Sequence, residues 1–285
     1  EPYRRQRQMC IRDREPHIVY GLPEGTYTLH EELAPYAEGY VSAEDIEFEV
    51  KEDGSVTKVE MKDDYSKVEI SKTDITTGEE LEGAKLQILN KEGEILEEWV
   101  TDGKPHLVEK LPVGEEMTLR EITAPEGYEI AEDVKFTLED TMEIQKVEMK
   151  DDVPTGTLII NKKGEFLDKV SALDSVGGWL KHLFEYFSGS LKEVTFEVYA
   201  LEDIKAADGE SEDYYKKDAL VATITTDETG VAKLTDLPLG KYYVKEKETA
   251  NGYVLDGETR EVDLTYRDQN TAEVTYSADW QNKRQ

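Results

Sequence analysis

The chain has 285 residues, room for two or three domains, and carries 65 acidic against 34 basic side chains for a net charge of −31. A field of that sign repels nucleic acid and anionic membrane, which argues against both as partners. No apolar run is long enough to cross a bilayer, and a hydrophobic content of 38% suffices for small cores.

Residues 1–14 are basic in an acidic protein, show no period and hold the only cysteine, Cys10. They resemble translated sequencing-adapter read-through and are expected to be a non-native or disordered leader. Without Cys10 a disulfide cannot be the staple of the fold.

Residues 15–66 carry the first copy of a repeated phrase. It runs Leu22-Pro23-Glu24-Gly25-Thr26-Tyr27-Thr28-Leu29-His30-Glu31 and is followed by Gly39-Tyr40. Leu22-Pro23-Glu24-Gly25-Thr26 is read as a turn between strands, because its sister copies hold the same place inside a domain. Only the back half of a repeat is expected in this segment, with no lysine strand.

Residues 67–152 form a complete second copy. Val68-Glu69-Ile70-Ser71-Lys72, Lys85-Leu86-Gln87-Ile88-Leu89 and Val134-Lys135-Phe136-Thr137-Leu138 alternate as half-buried strands do. The phrase returns as Leu111-Pro112-Val113-Gly114 on to Glu121, then Gly127-Tyr128. Lys-Val-Glu-Met-Lys-Asp-Asp stands at both 58–64 and 146–152. A repeat this long makes the chain an array of similar domains.

Residues 153–285 form the third copy, with Leu237-Pro238-Leu239-Gly240 leading to Glu246 and then Gly252-Tyr253. More chain separates its lysine from its glutamate than in the second copy. The insertion predicts one short amphipathic helix over about 174–192. Trp179, Leu180, Leu183, Phe184, Phe187 and Leu191 lie on one helical face, and Gly177-Gly178 and Gly189 bracket it. Many short strands at close spacing predict an all-β chain of tandem β-sandwiches.

Parity separates inward from outward side chains on a strand. In the second copy Val68, Ile70 and Lys72 share a face, as do Met117, Leu119 and Glu121, and Val147, Met149 and Asp151. Each strand therefore turns two apolar residues and then one ionisable group toward the core. The third copy repeats this with Leu158, Ile160, Lys162; Tyr242, Val244, Glu246; and Val274, Tyr276, Trp280, Asn282. Asp152 and Asp279 have the wrong parity. Burying an ammonium and carboxylates is costly unless they pair or change protonation. Burial lowers a Lys pKa and raises a Glu pKa. A neutral amine held beside a carboxyl or carboxamide carbon favours amide formation by proximity. The product is an intramolecular Lys–Asp or Lys–Asn isopeptide bond.

The pattern Lys72-Thr73-Asp74, then Leu-Pro-x-Gly, then Glu121-Ile122-Thr123-Ala124-Pro125-Glu126-Gly127-Tyr128 resembles the Cna B-type, prealbumin-like (SpaA-type) repeat domains of Gram-positive surface proteins and pilins. The resemblance runs from about residue 16 onward and implies Greek-key prealbumin-like sandwiches. It further implies Lys72 as nucleophile, Glu121 as proton shuttle and Asp151 as electrophile. Lys162, Glu246 and Asn282 would take those parts in the third copy. That copy departs from the pattern at Lys162-Lys163-Gly164 and at Thr249-Ala250-Asn251-Gly252-Tyr253, which leaves its bond open. The first copy keeps Glu31 and Asp63.

The four histidines, His17, His30, His106 and His182, form no metal-spaced pair. The acidic run from Asp208 to Asp213 lacks the spacing of a calcium loop, so no cofactor or metal is expected. No other catalytic motif stands out, so the chain is not expected to be an enzyme beyond a single bond-forming turnover. The expected role is a stalk segment of a cell-wall-anchored adhesin or pilin-like protein, outside the cell. Its anchor and any host protein or glycan contact would lie outside this segment. The alternatives are a host-binding module, most naturally the third copy, and a spacer attached to an extracellular enzyme.

Overall fold

The computed structural model describes residues 17–176, 179–209 and 211–285. The expected leader at 1–14 and the Gly177-Gly178 pair lie outside them. The chain divides into two compact units.

The first compact unit comprises the chain up to Lys67 together with 109–114 and 138–144. Its strands are β1 (Gly25–Leu29), β2 (Tyr40–Val41), β3 (Ile46–Val50) and β4 (Asp64–Tyr65). They pair as two antiparallel ribbons, β1 with β3 and β2 with β4. Tyr27 stands opposite Phe48 in register, and their rings stack at 5.9 Å. A 3-10 turn over Tyr36–Glu38 ends at Gly39, whose φ is 80°. A Cβ there would also stand 2.4 Å from the Lys110 backbone, so this turn requires glycine. Asp140 fastens the segment by accepting from the Ser42 amide at 2.7 Å and the Tyr36 hydroxyl at 2.9 Å.

The second compact unit holds two sandwiches. One is built from β5 (Lys67–Asp74), β6 (Glu82–Leu89), β7 (Ile95–Asp102), β8 (His106–Glu109), β9 (Glu116–Thr123), β10 (Val134–Thr137) and β11 (Ile144–Asp151). Their order is β10-β9-β6-β7 in one sheet and β11-β5-β8 in the other. Val68, Ile70, Leu86, Ile88, Met117, Leu119 and Met149 are buried between the sheets, as strand alternation requires.

The other sandwich uses β12 (Thr155–Val176), β13 (Trp179–Ser190), β14 (Thr195–Ala200), β15 (Leu220–Thr225), β16 (Val231–Pro238), β17 (Gly240–Glu248), β18 (Thr259–Leu264) and β19 (Glu273–Asn282). One sheet runs β15-β14-β17-β18. In the other, β12 pairs with β13, β16 and β19, the last in parallel. Leu158, Ile160, Phe196, Val198, Tyr242, Val244, Val262, Leu264 and Trp280 fill the core.

Among the described residues of 174–192 the expected helix is not formed. β12 runs on past the sandwich and pairs with β13 as a ribbon, with Lys163 opposite Ser190 and Phe166 opposite Phe187. Leu183, Phe184 and Phe187 are about half exposed, so they do not form the buried stripe that would hold a helix in place. Aromatic residues suit a pleated ribbon, and the facing arm supplies their backbone hydrogen bonds. Glu165-Phe166-Leu167, which continues the lysine strand, does not alternate, so no period in the sequence announced the ribbon. Leu191, the last residue of the expected helical face, is buried in the core.

Residues of the third repeat dock on the Ala-Pro-x-Gly-Tyr turn of the second. The Gln269 side chain accepts from the Ala124 amide at 2.9 Å, and its carbonyl accepts from the Ile130 amide at 2.9 Å. The Tyr266 hydroxyl donates to the Tyr128 carbonyl at 3.1 Å, and Ala207 packs on the cluster of Leu81, Ala124 and Tyr128.

Candidate functional site

Lys72 enters the second-repeat core from β5 and Asp151 from its neighbour β11, while Glu121 comes from β9 in the facing sheet. All three are almost fully buried, at 1%, 0% and 3% exposure. The Lys72 ammonium donates to Asp151 Oδ1 and lies 3.0 Å from Glu121 Oε1. Glu121 Oε2 accepts from the Ala131 amide at 2.7 Å, which fixes the carboxylate from behind. Burial pushes the Asp151 carboxyl up to about 7, with Lys72 opposing the shift and Glu121 adding to it. A carboxyl poised there passes readily into its neutral acid form, the form that an amine can attack. Asp152, of the opposite parity, is exposed.

The third repeat brings together Lys162 from β12, Asn282 from the parallel strand β19 and Glu246 from β17 in the facing sheet. They too are buried. Lys162 Nζ donates to Glu246 Oε2 at 2.7 Å and to Asn282 Oδ1 at 2.6 Å. Asn282 Nδ2 donates to Glu246 Oε1 at 2.5 Å and to Thr249 Oγ1 at 2.7 Å. One carboxylate thus touches the amine through one oxygen and the amide nitrogen through the other. Phe196 and Trp280 flank the Lys162 nitrogen at 5.5 and 5.6 Å from their ring centres. Burial lowers the Lys162 pKa, against the pull of Glu246. The neutral amine needed for attack is therefore easier to reach than in water. Asp279 is exposed and pairs with Lys163 at 3.6 Å instead.

The first repeat does not reproduce this arrangement. Glu31 is half-buried and accepts from the Ala43 amide at 2.8 Å, a backbone clamp like that on Glu121. Asp63 is exposed, and its neighbour Asp64 accepts from Lys67 at 2.6 Å. Sequence reasoning missed Thr249, Phe196 and the amide clamps. The only hint of Thr249 was one extra residue between Glu246 and Ala250 compared with Glu121 and Ala124.

The family model of the SpaA prealbumin-like fold domain matches residues 13–65, 66–153 and 187–280. No curated protein matches the chain. Among solved structures the chain is similar to the Bacillus anthracis TIE protein at 28% identity and a TM-score of 0.48, over 92% of this chain and 42% of that one. The chain therefore spans less than half the length of that protein. It is also similar to a minor pilin of Streptococcus agalactiae at 16% identity and a TM-score of 0.29, over 77% of this chain and 96% of that one. A third is the shaft pilin SpaA of Lactobacillus rhamnosus GG, at 14% identity and a TM-score of 0.28, over 77% and 98% of the two chains.

Proposed function

The chain belongs to the family of SpaA prealbumin-like fold domains, and on that premise we propose that it is a structural shaft segment of a Gram-positive surface or pilin-like protein. In this reading the second and third repeats are each closed by an isopeptide bond that they form themselves. The segment works outside the cell, as a spacer in a protein anchored to the wall through a region beyond it. Contacts with host proteins or glycans, or with other pilin subunits, belong to regions beyond it as well.

The observation that carries this reading is the buried Lys72–Glu121–Asp151 cluster and its counterpart in the third repeat. A buried ammonium between two carboxyl groups is a poor source of stability, because desolvation offsets most of the attraction. Condensation removes that cost. The neutral Lys72 amine attacks the Asp151 carboxyl carbon, Glu121 moves the proton from nitrogen to the departing oxygen, and one water leaves. Lys162 attacks the Asn282 carboxamide carbon in the same way, with Glu246 as shuttle, and one ammonia leaves. Each bond ties a first strand to a last strand, so tension along the chain passes through the crosslink rather than through the sheets.

Intact-mass measurement of the full chain tests the reading. The expected mass is one water and one ammonia below the sequence mass, with crosslinked Lys72–Asp151 and Lys162–Asn282 peptides after digestion. A chain at full sequence mass overturns it.

A further inference from the structure

The two buried clusters differ at one point. In the second repeat the electrophile Asp151 meets the Lys72 amine and the Glu121 carboxyl, with no hydroxyl partner among the described residues. In the third repeat Asn282 Nδ2 has two partners, Glu246 Oε1 and Thr249 Oγ1. Thr249 reaches the site because its loop is one residue longer than in the second repeat. There, Thr123 directly precedes Ala124 and is exposed.

We propose that Thr249 is a positioning residue that holds the Asn282 carboxamide with its oxygen toward Lys162 and its nitrogen toward Glu246, and so adapts the third repeat to an amide electrophile. The inference rests on the bond-forming reading above.

A carboxamide, unlike a carboxyl group, has two different ends, and only one orientation serves the reaction. Attack by the Lys162 amine forms the N–C bond to the Asn282 side-chain carbon and breaks that carbon's bond to Nδ2. The departing nitrogen must collect a proton, and Glu246 Oε1 at 2.5 Å is placed to give it. The proton replaces the one that Glu246 Oε2 takes from Lys162 at 2.7 Å. A flipped carboxamide would set its NH2 against the Lys162 nitrogen and lose this relay. Two acceptors on Nδ2 use both of its hydrogens, which leaves Oδ1 to accept from Lys162. A carboxyl group has no such orientation to select, which is why Asp151 reacts without a counterpart of Thr249.

The test follows crosslink formation at residue 282 in the full chain, sampled by mass spectrometry and peptide mapping after cell-free synthesis. Thr249→Val is expected to slow loss of ammonia by about fivefold to tenfold, the scale of one positioning hydrogen bond. Thr249→Ser is expected to restore most of the rate. In an Asn282→Asp background, where water leaves instead, Thr249→Val should change the rate by less than about threefold. The second-repeat bond in the same molecules reports that each variant has been made, and hydrogen-exchange protection of third-repeat core amides such as Val244 reports that its sandwich has folded. The inference is overturned if Thr249→Val reacts at the wild-type rate. It is also overturned if Thr249→Val slows the wild-type and Asn282→Asp backgrounds equally, as a merely structural role would. A wild-type chain that never loses ammonia overturns the bond-forming reading and this inference with it. Normal loss of ammonia with no effect of Thr249 overturns this inference alone.

Discussion

Lys162 and Asn282 meet diagonally: on adjacent parallel strands, Lys162 stands opposite Trp280, and Asn282 stands opposite Gly164. The long lysine side chain leans along the strand past the indole to reach the carboxamide two residues on. Gly164, opposite Asn282, makes room for the Tyr253 ring, which a Cβ there would approach within 2.6 Å. Trp280, itself buried and covered by Arg260 at 4.2 Å, keeps water from the lysine.

Glu121→Gln keeps the shape of the second cluster and removes its proton shuttle. The full chain carrying it should lose ammonia but retain the water. Glu246→Gln should do the reverse. High-resolution intact mass separates the two, and a Glu121→Gln chain that still loses water would exclude Glu121 as the shuttle.

The proposed second-repeat bond would join Lys72 and Asp151, 79 positions apart. By analogy with a disulfide, closing so long a loop stabilises the fold by about 4 kcal/mol. For a domain of this size, Glu121→Gln should lower its melting transition by roughly 15–30 °C. Scanning calorimetry of the full chain reads the shift, and an unchanged transition would deny the bond a stabilising role.

Asp151 gives the unbonded second repeat a characteristic pH dependence. Its folded value of about 7 lies above its ordinary 3.8, so the folded state holds the proton more tightly than the unfolded chain does. That contribution is full below 3.8 and is lost as pH rises through about 7. On the proposed reading the wild-type carboxyl is consumed by the bond. Glu121→Gln removes one of the smaller contributions to that shift, but burial, the largest, stays, so the stability gap between wild type and this variant should still widen from acid toward neutral pH in urea titrations. A constant gap would contradict the burial argument.

Gln269 makes its hydrogen bonds to the second repeat with both side chain and main chain. Gln269→Ala should loosen the junction while leaving both sandwiches folded. Hydrogen exchange at the Ala124 amide should speed up, with little change at core amides such as Leu119. Equal protection in both chains would mean that packing around Tyr128 holds the junction alone.

The ribbon beyond the third sandwich should be dispensable for its fold. Leu183, Phe184 and Tyr186 are 47%, 52% and 49% exposed, whereas Phe166 packs on the core. Replacing residues 168–185 with an Asn-Gly turn, between register partners Leu167 and Tyr186, should leave ammonia loss and the melting transition nearly unchanged. Loss of the fold would assign the ribbon a structural role.

The sequence by itself determined the repeats, the strand faces and the inward turn of Lys72, Glu121, Asp151, Lys162, Glu246 and Asn282. A strand has a strict two-residue period, so burial of Val68 and Ile70 carries Lys72 inward with them. It could not determine the ribbon. Leu183, Phe184 and Phe187 fit a helical stripe as well as a strand, and the choice fell to the facing arm, Phe166 to Ser171. Nor could it place Thr249 on Asn282 or Gln269 on Ala124, contacts that span 33 and 145 residues. Periodicity reports which face of its own element a residue occupies, whereas only the packing of one element on another decides which two faces meet.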